Sequence, residues 1–551
     1  MDASPQRASD FRNACHNFFN HPQINLLLTG LIAVVGGYFA FISIFHRWAF
    51  FPFEESLDVI HKDWALIASA VFVLYIISLI AAKVADLAWV KPALGSWYQF
   101  SIYDLYFTGP IIFGIMIRNI THFEHLNIFD SDLDLTLRYF ALSLLLIRCG
   151  MRFNAELIAE NWFLPVSLSI IAALVEQSFS HLTLFSDFLF SPPLFLGKHQ
   201  HMQIKFRIFL LAATSCSSLL PTMRHFQEMN QGSEKSIPAL ILTSSALDNI
   251  LCICAATVLM AIQFADGSVV PTIFIIIGES ALALIVGAVL GILLWVFPRR
   301  QDSHKHFARA LCLLILSFAF VFGSSRINVL FAGMIATLTM TIVAQRFWRA
   351  DYDSDTIDDD DTIEARWFGR LWKIFAEPLV FFLLGAQLNF ANLTWGIFFS
   401  GLAVVAIGIA FRCIATFLLT FCNQLNFSEK LFTVFCAVPK GSVQAALGST
   451  LTTLMLSIPS LVPHIPLVAS SLVCSAAIAG SVGHICVRVF GPFLLNYDFP
   501  ETVHIANPNH NSYVETVKVD ENPDNLVTFK QYKTITQTTT STRPERRPYE
   551  F

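Results

Sequence analysis

Glu176, Asp248, Arg412 and Lys440 each sit well inside a long apolar run of this 551-residue chain. The two acids come first and the two bases follow. Asp248 is the sharpest case, eleven residues into the apolar run Ile237–Met260. At that depth in hydrocarbon an aspartate costs about 2.5–3.5 kcal/mol on insertion scales, so a chain that keeps one has a use for it. Its neighbour Asn249 can hydrogen-bond an ion or a side chain, but it cannot exchange a proton at ordinary pH. Unpaired buried charges are costly enough that pairing is the natural solution, and here any acid–base pair must bridge the two halves of the chain.

One reading makes these four residues inert ion pairs that hold helices in register. Around Asp248 and Lys440 the neighbours favour chemistry instead. Thr243, Ser244 and Ser245 precede Asp248, and Pro439, Gly441 and Ser442 surround Lys440. Small hydroxyl side chains and loosened helix supply the oxygen ligands and room that a hard cation needs. Arg138 and Glu279 fall nearer helix ends, where snorkelling accounts for them. His181 and His484 read as hydrogen-bonded structural residues. No metalloprotease HExxH, phosphate-cradling glycine loop or nucleophile elbow occurs, so an embedded enzyme is disfavoured and no cofactor is expected.

The elements that position these residues are membrane spans. The chain is 55% hydrophobic and only 14% charged, against roughly 25% charged in soluble domains. Hydropathy predicts an all-α, multi-pass membrane protein of about 14 spans. These run 24–45, 64–82, 101–117, 133–149, 163–190, 206–223, 237–264, 270–297, 308–323, 327–344, 374–390, 395–422, 431–456 and 466–490. Gly109-Pro110 interrupts the third. Basic residues concentrate in alternate loops (Lys83, Lys91; Arg152; Arg224, Lys235; Arg299, Arg300; Arg346, Arg349, Arg366, Arg370), which places both termini in the cytoplasm. Three regions follow: a cytoplasmic N-terminal tail 1–23, a membrane domain 24–495 and a disordered cytoplasmic tail 496–551. Within the cytoplasmic loop 345–373, residues 351–364 are an acidic run that reads as a solvated linker. Asn119-Ile-Thr121 is a glycosylation sequon on the expected outer side. The eleven cysteines form no spaced framework and read as small buried hydrophobes, and nothing suggests nucleic-acid binding.

Several segments taken together resemble the cation/proton antiporter superfamily, most closely its NHA-type sodium/proton exchangers. They are Glu234-Lys235-Ser236-Ile237-Pro238 running on to Asp248-Asn249, Val438-Pro439-Lys440-Gly441-Ser442-Val443-Gln444-Ala445-Ala446, Glu377-Pro378-Leu379, and Leu137-Arg138 through Arg148-Cys149-Gly150. They occur in the family's order across about residues 130–495. The resemblance implies a homodimer built from inverted repeats, with two broken helices crossing near the midplane and alternating access to the ion site. It implies that Asp248, Asn249, Lys440, Thr243 and Ser244 form that site, with Lys440 paired to Asp248 and Glu176 to Arg412. It also places the crossover segments at Thr214–Ser218, followed by Pro221, and at Cys474–Ala477, so that Thr214, Ser217, Pro221 and Ser475 mark the breaks.

The chain departs from that pattern where the family carries its second acid, here Asn249. Adjacent helix residues point about 100° apart, so Asp248 cannot take over that place. The crossovers also lack the family's prolines within Ser-Pro-Ala and Thr-Ala-Pro elements. The expectation is a monovalent cation (Na+, Li+ or K+)/proton antiporter working through Asp248 and Lys440. The alternative is a non-transporting paralogue that acts as a regulatory or scaffold subunit.

Overall fold

The computed structural model describes residues 108–119, 131–153, 158–159, 162–190, 212–232, 235–264, 269–298, 304–327, 329–349, 362–448, 462–495, 502–506 and 514–518, with a few single positions elsewhere. The second expected span, and all but a few positions of the first, lie outside the described residues. The helices are α1 (Thr108–Asn119), α2 (Ser131–Arg152), α3 (Phe163–Phe190), α4 (Cys216–Glu228), α5 (Ile237–Phe264), α6 (Val269–Val296) and α7 (Lys305–Arg326). They continue with α8 (Leu330–Arg349), α9 (Ile363–Leu371), α10 (Glu377–Gly385), α11 (Trp395–Thr420), α12 (Phe427–Cys436), α13 (Ile465–Cys474) and α14 (Gly480–Leu494). Among the described residues seven helical segments are long and apolar enough to cross a membrane, so the count of fourteen spans rests on the sequence. α6 shows why such a segment suits lipid: Phe274, Ile277, Leu282 and Ile285 are all exposed apolar side chains.

Local sequence explains the breaks. Gly109-Pro110 does not interrupt the third span but opens it, because proline fits the first turn, where its missing N–H has no intrahelical partner. Between α4 and α5 the chain turns through Asn230, Gly232 and Ser236, all with positive φ, and Pro238 sits at the start of α5. α12 opens with a capping box between Asn426 and Glu429. It stops at Cys436, just before Pro439, which cannot donate to a helix, and Gly441, whose φ of 155° disfavours any side chain. Helix then resumes through the π-helical turn Gln444–Gly448.

α2 lies at the centre. Leu142, Leu144, Leu145, Leu146 and Ile147 are all buried on successive faces, as a helix apolar all round requires. Arg138 on this helix does not snorkel. It is 1% exposed and its Nη2 donates to the Leu383 carbonyl at 3.2 Å, because α10 packs over it and leaves a helix-end acceptor within reach. Asn119 is also spoken for. Its Nδ2 donates to the Ile115 and Leu388 carbonyls and its Oδ1 accepts from the Phe390 N–H, so its amide serves as a structural clamp. In the C-terminal tail, read above as disordered, Thr502–Ala506 and Val514–Lys518 pair as an antiparallel hairpin. Val503 and Ile505 alternate with polar residues, as suits a strand, although a lone two-stranded hairpin is marginal in water.

Candidate functional site

Two interruptions meet over the charges. The first is Ala213–Ser215, non-helical between Ala212 and the start of α4, whose N-cap is Ser215. The second is Ala437–Gly441, between α12 and the turn at Gln444. The Ser215 N–H donates to the Pro439 carbonyl at 2.9 Å. Gln444 ties the two together: its Nε2 donates to the Ala213 carbonyl at 2.7 Å and its Oε1 accepts from the Gly441 N–H at 2.8 Å. The segment facing Thr214 is therefore not the expected Cys474–Ala477. Ser475 instead begins a π-helical turn, Ser475–Ala479, that carries α13 into α14, and its buried Oγ has no hydrogen-bond partner among the described residues. Without a proline at this point the backbone widens by one residue instead of breaking. Pro439 and Gly441 supply the break instead, earlier in the chain.

Opening a helix in an apolar interior frees backbone groups that must find partners. The charges provide them. The Ala212 carbonyl accepts from Arg412 Nη1 at 2.6 Å and from Lys440 Nζ at 2.8 Å. The Thr214 N–H donates to Asp248 Oδ2 at 2.8 Å, and the Thr214 hydroxyl donates to the same oxygen at 2.7 Å.

Among themselves the four ionisable residues form one buried cluster, each 3% exposed or less. Lys440 Nζ lies 2.7 Å from Glu176 Oε1 and 2.8 Å from Oε2. Arg412 bridges the two acids, with Nη1 at 2.9 Å from Glu176 Oε2 and Nη2 at 3.1 Å from Asp248 Oδ2. The pairing of Lys440 with Asp248 implied by the resemblance is thus replaced: Lys440 holds Glu176, and Asp248 holds Arg412. The reason lies in helix rotation. α3 and α11 pack with Phe179 and Phe411 stacked at 3.5 Å, and Gly408 leaves room for Ser180 and Glu176, which turns the Glu176 carboxylate toward both bases.

Asn249 is fully buried but faces away, toward α2. Its Nδ2 approaches Cys149 Sγ at 3.9 Å, and its Oδ1 has no hydrogen-bond partner among the described residues. Cys252, one turn beyond Asp248, places Sγ 3.7 Å from Oδ1. Ser244 lines a cavity of about 30 Å³ beside the cluster, together with Thr214, Ser245, Arg412, Thr416 and Thr433. Thr243 is buried but does not line it. A second, apolar cavity shares Leu168, Ile241 and Thr433 with the first and reaches Leu164, Ile237 and Leu425, near the ends of α3 and α5. Pro221 lies within α4, and nothing is described of the Ser217 side chain. Ser245 stands where the residues before Asp248 suggested an oxygen ligand, whereas Thr416 and Thr433 carry no signal in the sequence, since a hydroxyl on an apolar helix ordinarily bonds back to its own backbone.

Discontinuous helices whose freed backbone groups converge on buried carboxylates define a class, the membrane-embedded secondary transporters. Residues 106–489 match the family described as "Sodium/hydrogen exchanger, transmembrane", and the chain belongs to that family. It is 27% identical over 395 residues to human sodium/hydrogen exchanger 9B1, covering 71% of this chain and 73% of that one. To human sodium/hydrogen exchanger 9B2 it is 29% identical over 345 residues, 62% of this chain and 60% of the relative. Its fold is similar to that of the sodium proton antiporter MjNhaP1 from Methanocaldococcus jannaschii, with a TM-score of 0.57 at 17% identity. That likeness covers 78% of this chain and 98% of the antiporter and speaks for the fold alone.

Proposed function

We propose that this protein exchanges a monovalent cation (Na+, Li+ or K+) for a proton by alternating access, in the manner of the NHA-type exchangers, with Asp248 as the carboxylate that receives the cation. The observation that carries the reading is the setting of Asp248 Oδ2. It accepts from the freed N–H and the hydroxyl of Thr214, while its counter-charge is a side chain that a cation could displace. Two acids and two bases make the resting cluster neutral. A cation entering at Asp248 adds one positive charge, which a low-dielectric site relieves by releasing a proton. Arg412 cannot be that source, because guanidinium stays protonated, whereas the Lys440 ammonium can give up its proton. Asn249 contributes no proton and serves as a neutral amide beside the site. The loop charges support cytoplasmic termini, and the resemblance supports a homodimer.

The test is proton flux in proteoliposomes driven by gradients of Na+, Li+ or K+, with Asp248→Asn and Lys440→Met alongside. Cation-dependent flux in the parent, absent in Asp248→Asn and uncoupled from protons in Lys440→Met, is the expected outcome. A well-folded parent with no flux for any of the three cations across a broad pH range would count against exchange and favour a scaffold subunit.

A further inference from the structure

When a cation takes Asp248, the Arg412 Nη2 that donates to Oδ2 must move, since its charge cannot be removed. The cavity beside the cluster offers a place. Its volume of about 30 Å³ exceeds the roughly 10–15 Å³ that a water needs, so one edge of a guanidinium can enter it. Two of its lining residues carry a buried polar atom with no hydrogen-bond partner among the described residues: Arg412 Nε, a donor, and Thr416 Oγ1, which can accept. Residues four apart on a helix share a face, so Thr416 and Arg412 lie on the same face of α11. The other hydroxyls are engaged. Thr214 donates to Asp248 and contacts Ser245 at 3.1 Å, while Thr433 donates to the Glu429 carbonyl at 2.9 Å. A buried hydroxyl left unbonded is costly, and Thr416 is 1% exposed.

We infer that Thr416 is a positioning residue for exchange: its hydroxyl accepts from the Arg412 guanidinium once a cation has displaced it from Asp248, and so sets the affinity of Asp248 for that cation. Arg412 acts as a tethered competitor with two docking places, Asp248 in the empty site and Thr416 in the loaded one, while Nη1 stays on Glu176. The inference rests on the reading of Asp248 as the cation's carboxylate.

Thermal unfolding of the full purified chain in detergent tests it, titrated with NaCl, LiCl or KCl against choline chloride at constant ionic strength. A ligand that binds only the folded state raises the transition with concentration. In the parent at least one cation raises it, and Asp248→Asn abolishes the shift. Thr416→Val, a close isostere, moves half-saturation to concentrations on the order of tenfold higher and leaves the transition in choline unchanged or raised. Thr416→Ser, which keeps the acceptor, restores the parental value, and Thr416→Ala repeats the loss if valine packs poorly. Parental half-saturation in both Thr416→Val and Thr416→Ala overturns the inference and leaves Asp248 standing. A loss of stability equal in choline and in the effective cation shows a merely structural threonine and also overturns it. A cation shift that survives Asp248→Asn, or no shift in the parent, overturns the underlying reading and the inference with it.

Discussion

The pairing within the cluster is open to a direct energetic test. The structure couples Lys440 to Glu176, while a direct Lys440–Asp248 pair would make a different prediction for a double-mutant cycle. Removing the Glu176 charge with Glu176→Gln leaves Lys440 and Arg412, both 3% exposed or less, with Asp248 as the one remaining carboxylate of the cluster. Breaking a buried pair in this way costs about 3–5 kcal/mol, because a buried cation is left uncompensated. Lys440→Met removes the ammonium in turn. Since Nζ touches both Glu176 oxygens, at 2.7 and 2.8 Å, much of the Glu176→Gln penalty should vanish in the Lys440→Met background. Hydrogen bonds to charged groups contribute about 1.5–3 kcal/mol, so the expected coupling energy is about 2 kcal/mol. The matching cycle with Asp248→Asn probes two residues that share no hydrogen bond, and its coupling should stay below about 1 kcal/mol, transmitted through Arg412.

The measurement is thermal or denaturant unfolding of parent, single and double variants in one detergent, without added Na+ or Li+. A Lys440–Asp248 coupling larger than the Lys440–Glu176 one would refute the arrangement. Equal couplings would mean that the four charges form a square rather than a chain running Lys440, Glu176, Arg412, Asp248.

Two further substitutions probe the frame and the neutral amide. A Cβ on Gly483 would lie 2.6 Å from Pro439 N, against 3.4 Å for an ordinary contact, so Gly483→Ala should displace the backbone beside Lys440. It should destabilise the fold by about 1–3 kcal/mol and slow exchange, while Gly396→Ala, whose nearest neighbour would be Thr394 Oγ1 at 3.9 Å, leaves both unchanged. Asn249→Asp places a buried carboxylate against Cys149, beside an already neutral cluster, and should lower thermal stability near neutral pH. Added Na+ or Li+ should restore more stability in this variant than in the parent, and an equal response in both would refute the view that position 249 lies within reach of the cargo.

The sequence disclosed the four charges because each is too costly in hydrocarbon to be incidental. It could not disclose which base meets which acid. That depends on the rotation of α3 against α11, set by the stacking of Phe179 on Phe411 and the gap at Gly408, and a one-residue change of register would turn Glu176 by about 100°. Pro439 and Gly441 were legible as punctuation around Lys440, but that they form the break facing Thr214 followed only from the hydrogen bond between Ser215 N–H and Pro439 O. At Cys474–Ala477 nothing in the residue types announced a π-helical turn, since one extra backbone residue leaves no compositional trace. Arg138 misled for a related reason. Its place near a helix end suggests snorkelling until the Leu383 carbonyl and the packing of α10 are known. Thr416 had no signal of its own, being one more small residue on an apolar helix.

The arrangement also bears on how one carboxylate could serve where the family's pattern has two. A cation bound between two acids leaves a charge that depends on which of them holds a proton. Here Asn249 removes that choice, and Arg412 occupies the carboxylate that remains. On the proposed reading the empty site carries the guanidinium between Glu176 and Asp248 and the ammonium at Glu176, while the loaded site carries the cargo at Asp248 and the guanidinium between Glu176 and Thr416. The positive charge that the cargo adds is offset when the Lys440 proton leaves. The net charge of the cluster is zero in both states, one cation against one proton. Each elementary charge moved through the membrane is worth about 2.3 kcal/mol per 100 mV, so a site that keeps its charge through the cycle should run at a rate indifferent to voltage. Exchange in proteoliposomes that accelerates or stalls under an imposed potassium-diffusion potential, with valinomycin present and K+ excluded as cargo, would show that Lys440 keeps its proton and that the accounting is wrong.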